Sequence, residues 1–182
     1  MIDASEDTSA ETIEKISDYI TKDVKTYDLG NDKIRVSILA YGSSVKEVLT
    51  LGDGTNTARI TSALKDLRVG GKRELGRAML TLKTSIISSK GSMRDDAGKV
   101  VTIFVAGKTV PEKSNSLRSS AREFEEKNIK VIVVGIGSDV DKEELKKASA
   151  NPTNVIFVED DLNIIDPVVS KVTGNEAGSL SF

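Results

Sequence analysis

The strongest constraint on this chain is a set of short apolar runs separated by amphipathic ones. Residues 100–106 (VVTIFVA) and 131–136 (VIVVGI) are apolar almost throughout. A strand with one wet face would alternate, so runs of this kind belong to a sheet covered on both sides. Helical patterns lie between them, and parallel strands joined by right-handed helical crossovers follow. The expected fold is α/β: a doubly wound, mostly parallel sheet with one antiparallel edge strand and helices on both faces.

Residues 11–27 carry Ile13, Ile16, Tyr19, Ile20 and Val24 at helical spacing, with Ser9 as the N-cap. Residues 34–41 and 45–51 are expected to form an antiparallel pair across Gly42-Ser43-Ser44. Further helices are expected over 57–67, 75–87, 117–127, 143–149 and 162–172. Strands are expected over 100–106, 131–136 and 155–158, and a polar loop over 90–99. One domain then spans 1–173, and 174–182 is a tail or linker.

Composition removes several function classes. The chain has no Cys and no His, so disulfide frameworks, thiolate chemistry and the usual general base are all absent. A net charge of -2 does not call for nucleic acid or an anionic membrane as partner. No apolar run approaches the ~20 residues of a membrane helix, and no signal peptide is visible.

The candidate chemistry lies in Asp3-Ala4-Ser5-Glu6-Asp7, directly before the first helical pattern. Oxygen ligands at a strand-to-helix junction sit where open α/β sheets bind ligands. Other motifs are weaker. Gly135-Ile136-Gly137 lacks the third glycine of a dinucleotide turn, since Val140 stands there, and Gly107-Lys108-Thr109 lacks the P-loop spacing. Asp95-Asp96, Asp139, Asp141 and Glu159-Asp160-Asp161 suit solvated loops and helix caps, Asp161 as an N-cap. A hydrolase or nucleotide-binding α/β domain is therefore a minor alternative.

The strand IRVSILAY, the segment TSALKDLRVGGKRELGRAML, the strand VVTIFVAGKT and the run IKVIVVGIGSDVDKEELKKAS together resemble, in order and spacing, the von Willebrand factor type A domain. The likeness is to the A domains of extracellular matrix proteins such as type VI collagen. The resemblance implies a metal-ion-dependent adhesion site built from a DxSxS motif, a Thr of a Gly-rich loop and an Asp after the fourth strand. Here Asp3 and Ser5 match, Asp7 replaces the second Ser, Arg73 stands for the Thr and Ala106 for the Asp. Asp53-Gly54-Thr55-Asn56-Thr57 looks like the family's Gly-Thr-Asn-Thr loop but falls one helix early, and is read as a turn with Thr55 or Asn56 as cap.

The resemblance thus implies a non-enzymatic adhesion domain with a degenerate metal site, extracellular, bound to a matrix or cell-surface protein. No cofactor is expected. Arg73 is expected to act as a built-in cation bridging Asp3 and Asp7. The alternatives are an unused site with Arg73 simply solvated, and Mg²⁺ held by Asp3, Ser5 and Asp7. Lys65, Arg68, Lys72 and Arg77 form a candidate basic patch suited to a sulfated glycan. Finally, the family's first strand is central, yet only Met1-Ile2 precede Asp3. Either residues ahead of Met1 or another segment is expected to complete it, and the alternating tail Ser179-Leu180-Ser181-Phe182 is a candidate for self-association by exchange.

Overall fold

A computed structural model describes residues 1–87, 93–111, 116–159 and 162, with the backbone alone at 85–87. Six strands form one sheet in the order β3-β2-β1-β4-β5-β6. They are β1 (Ile2–Asp3), β2 (Ile38–Tyr41), β3 (Val45–Leu49), β4 (Lys99–Val105), β5 (Ile129–Ile136) and β6 (Val155–Val158). Every pairing is parallel except β2 with β3. The helices are α1 (Ala10–Asp23), α2 (Thr57–Ala63), α3 (Leu75–Thr81), α4 (Ser116–Glu126) and α5 (Lys142–Lys147). The expected doubly wound fold is the one observed.

Alternate residues of each strand serve opposite faces, so the sheet separates two cores. On one face Ile2, Ala40, Phe104, Ile132 and Val134 meet Ile16 and Tyr19 of α1 and Ile60 of α2. On the other, Leu39, Tyr41, Ile103 and Val133 meet Met79 of α3, Phe124 of α4 and Leu145 of α5. This double burial is why the inner strands β4 and β5 are apolar along most of their length, while the edge strand β3 carries the exposed Lys46 and Glu47.

Some boundaries differ from those expected. α1 stops at Asp23, and a 3-10 turn over Val24–Thr26 finishes the helix. β2 begins at Ile38 and not at residue 34, because the Val36 N–H is spent on the Gly54 carbonyl at 2.9 Å and Ile34 bridges to Leu29. α2 ends at Ala63, and α3 widens into a π-helical stretch over Leu82–Ile87. Ser9, Asn56 and Asp141 cap α1, α2 and α5 through their side chains. The helix over 162–172, the cap at Asp161, the tail from 174 and part of the 90–99 loop lie outside the described residues.

β1 holds the centre of the sheet with two residues. The Met1 ammonium donates to the Thr102 carbonyl at 2.6 Å and the Met1 carbonyl accepts from Phe104 N–H at 2.9 Å. Burial pushes the ammonium pKa down from 8.0 to about 5. The folded chain thus favours the neutral amine, and between pH 5 and 8 the unfolded chain binds more protons. Stability of the polypeptide beginning at Met1 should therefore rise with pH across that window, at up to about 1.4 kcal/mol per unit. Urea midpoints at pH 5.5 and pH 8 measure this, and an N-terminally acetylated chain should lose this part of the slope.

Candidate functional site: a buried ion pair at the upper sheet edge

Three loops meet above the C-terminal ends of β1, β2 and β4. The first leaves β1 through Ala4 and Ser5 and closes a turn with Thr8 N–H on the Ser5 carbonyl at 3.1 Å. The second runs from α2 to α3. Its Gly70 and Gly71 carbonyls accept from Ser43 and Glu6 N–H at 3.2 and 2.9 Å, and Gly70 N–H donates to Ala4 at 2.9 Å. A Cβ at Gly42 would lie 2.1 Å from the Gly70 carbonyl oxygen, so only glycine lets the loop approach this closely. These contacts deliver Arg73 to the edge. The third loop follows β4 through Ala106 and Gly107.

Asp3 is fully buried and Arg73 nearly so, at 0% and 4% exposure. They form an ion pair between Arg73 Nε and Asp3 Oδ2. Ala106 N–H donates to the same oxygen at 2.9 Å. The other oxygen, Oδ1, accepts from Ser5 N–H at 3.1 Å and Ser5 Oγ at 2.7 Å. Arg73 Nη2 donates to Thr8 Oγ1 at 3.1 Å, and Nη1 to the Lys108 carbonyl at 2.8 Å. Thr8 Oγ1 lies 3.1 Å from Ser5 Oγ. Since Ser5 spends its proton on Asp3, Thr8 is the donor in that bond. The hydrogen bonds therefore close a ring: Arg73 donates to Thr8, Thr8 to Ser5 and Ser5 to Asp3, while Asp3 also accepts from Arg73. All members are satisfied, which a buried polar network requires.

The ring sits over Tyr41, whose hydroxyl donates to the Phe104 carbonyl at 3.1 Å. Burial, then the Asp3 charge, raises the Tyr41 pKa, with Arg73 opposing. Gly107, at φ +125°, passes directly beside the guanidinium, and a Cβ there would lie 3.0 Å from Arg73 Nη1.

Asp3, Ser5, Arg73 and the backbone of Ala106 come together. Asp7 does not join them. It is exposed, and among the described residues no hydrogen bond or ion pair ties it to Arg73. The Ser5–Thr8 turn brings Thr8 inward, so the second bridge from Arg73 goes to Thr8 and not to Asp7. Thr8 and the Lys108 carbonyl were not anticipated. The Ser-x-x-Thr spacing at the lead-in to α1 is the signal for Thr8, and a backbone carbonyl leaves none.

The geometry does not fit a divalent cation. Mg²⁺ needs about six oxygens in octahedral array, whereas both Asp3 oxygens are spent on donors, Ala106 offers an N–H, and a guanidinium stands against Asp3. Among the described residues no group of three His, Cys, Asp or Glu gathers anywhere. The weaker motifs are structural: Gly135 is buried within β5 beneath Leu145 and Phe157, and Asp141 caps α5. Lys65, Arg68, Lys72 and Arg77 are all exposed. Arg77 is engaged with Glu74 and the Ser43 carbonyl at 3.0 and 2.8 Å.

A mostly parallel sheet with this strand order, a carboxylate ending β1 and loops converging above it define an α/β domain of the kind that presents a ligand-binding edge. The von Willebrand factor type A domain matches residues 1–169, and the chain belongs to that family. Matrilin-1 of Mus musculus is 24% identical over 173 residues, covering 94% of this chain and 34% of its own length. The collagen alpha-6(VI) chain of Homo sapiens is 21% identical, covering 84% of this chain and 7% of its own. The chain thus spans about a third or less of these relatives. Among solved structures, proximal thread matrix protein 1 from the mussel byssus, with a zinc-occupied MIDAS motif, superposes with a TM-score of 0.77 at 19% identity, covering 94% of this chain and 45% of that one. Manganese-loaded TRAP protein of Plasmodium vivax superposes at 0.71 and 16%, covering 94% and 70%. Both share the fold.

Removing one partner of a buried pair strands the other charge, at a cost of about 3–5 kcal/mol. Arg73→Met and Asp3→Asn should each lower stability by that order in urea unfolding. The double variant should lose clearly less than the sum of the two, giving a coupling above about 1 kcal/mol.

Proposed function

We propose that this chain is a non-enzymatic, extracellular adhesion domain that binds a matrix or cell-surface protein through the upper edge of its sheet and does so without a divalent cation. Family membership and the likeness to matrilin-1 and collagen VI support the protein-binding class. The observation that carries the metal-free reading is the Arg73 guanidinium seated on Asp3. It supplies fixed positive charge to the carboxylate and ties the three loops together, the two services a bound cation would perform. The absence of His and Cys from the chain supports a binding role over a catalytic one.

The edge around the ion pair offers exposed Glu6, Asp7, Lys72, Lys108 and Val110 to a partner. Retention of the chain on immobilised matrix-protein extract, with excess Mg²⁺ or with excess EDTA, tests the proposal. Equal retention is expected, and Lys72→Glu together with Lys108→Glu should reduce it severalfold. Retention that EDTA abolishes would establish the alternative, a site held by Mg²⁺.

A second reading has its own observation. Lys65, Arg68 and Lys72 are exposed, and among the described residues none of their side chains has an ion-pair or hydrogen-bond partner. A sulfated glycan would find free cations there. Salt-dependent elution from heparin, weakened by replacing these three with Gln, is the expected result. Elution unaffected by the replacements would remove the glycan.

A further inference from the structure

Helices α1 and α4 lie on opposite faces of the sheet. Ile16 and Tyr19 hold α1 against one core, and Leu117, Ala121 and Phe124 hold α4 against the other. Each follows the C-terminal end of one strand and leads to the start of a strand parallel to it, so the two helices run in the same direction. Their outward sides carry matching charge. One row of α1 reads Glu14, Asp18, Lys22, and one row of α4 reads Arg118, Arg122, Glu126, all six exposed. Steps of four residues keep each row on one side of its helix, about one turn between members. The rows therefore share a spacing and have opposite signs at every position.

The surface beside α4 is also shaped to receive a ridge. A groove of about 530 Å³ opens between α4 and α5, lined by Arg118 and Arg122 of α4 and Lys146 and Lys147 of α5, with Glu125 and Glu143 as its carboxylates. Four cations against two carboxylates make the groove positive in a chain of net charge -2, so it attracts an acidic surface. Arg122 Nε lies 3.2 Å from Glu126 in an exposed pair. A partner with an acid over Arg122 and a base over Glu126 extends that pair into a network. A uniformly anionic polymer would be repelled by Glu126, whereas the α1 row suits all three positions.

We propose that this chain associates side by side with further copies of itself, α1 of one copy lying parallel to α4 of the next, with Glu14 on Arg118, Asp18 on Arg122 and Lys22 on Glu126. The two surfaces differ and lie on opposite faces, so the contact is heterologous and does not close on itself: a copy that uses α1 still presents α4 to another. Parallel helices keep every copy the same way up, and the upper sheet edges then line one side of the row. On the adhesion reading above, such a row binds its partner multivalently. The association itself does not rest on that reading, and its test uses no matrix ligand.

Exposed ion pairs are weak singly and are screened by salt. The readout is therefore sedimentation velocity over a concentration series, in low salt and in about 0.5 M salt. Weight-average mass should climb past that of a dimer in low salt and fall to that of the monomer in high salt. Reversing one row, by Glu14→Lys with Asp18→Lys or by Arg118→Glu with Arg122→Glu, should leave each variant monomeric, and the milder Glu14→Gln with Asp18→Asn should lower the mass in the same direction. An equimolar mixture of the two reversed variants should associate again. So should the single chain carrying all four reversals, in which the charge gained on α1 offsets that lost on α4. A natural chain that stays monomeric in low salt, or stops at the dimer, would overturn the proposal. Association that survives in either reversed variant would also overturn it, as would a mixture of the two that stays monomeric.

Discussion

The upper edge depends on one interaction, the buried pairing of Asp3 with Arg73. A carboxylate with no solvent exposure at the end of the central strand must be neutralised, because an unpaired charge there would cost several kcal/mol. In a metal-binding relative the counter-charge would arrive from solution. Here it is covalently part of the chain, 70 residues along. Its reach explains the rest of the edge. Nε goes to β1, Nη2 to the turn before α1 and Nη1 to the loop after β4. Three loops distant in sequence are held by one side chain with a planar fork of donors.

The backbone below is shaped to deliver that fork. Gly42 lets the α2–α3 loop press against β2, and Gly107 leaves room beside the guanidinium. Ala106 follows from the same logic. An Asp at that position would add a second buried carboxylate to a site with a single resident cation, while alanine contributes only its backbone N–H to Asp3. The three replacements relative to the metal-site pattern thus have unequal standing. Arg73 and Ala106 belong to one electrostatic arrangement, and Asp7 stands outside it on the surface.

Much of this was legible in the sequence because it rests on periodicity. The apolar runs of β4 and β5 placed the parallel sheet, and Ser9 and the Asn56 region placed helix starts through cap chemistry. Strand β2 is shorter than the pattern predicts because Ile34 and Val36 alternate with polar residues as in a strand, while the Val36 N–H is drawn to the Gly54 carbonyl. At the site, Asp3 and Ser5 stand out by residue type at a strand-to-helix junction, and the resemblance to the family's metal-site pattern is what sets Arg73 beside them. Neither signal reveals that Thr8 closes the ring, since that depends on which side of a tight turn faces inward. The Lys108 carbonyl was invisible for a simpler reason: every residue has one.

If Arg73 does the work of a cation, then removing it along with its accommodations should create a demand for a real one. The most direct measurement is calorimetric titration of Mn²⁺ into the natural chain and into the variant carrying Asp7→Ser, Arg73→Thr and Ala106→Asp. The account predicts no saturable binding to the natural chain and one-site binding to the variant. Micromolar Mn²⁺ binding to the natural chain, lost on Asp3→Asn, would contradict it.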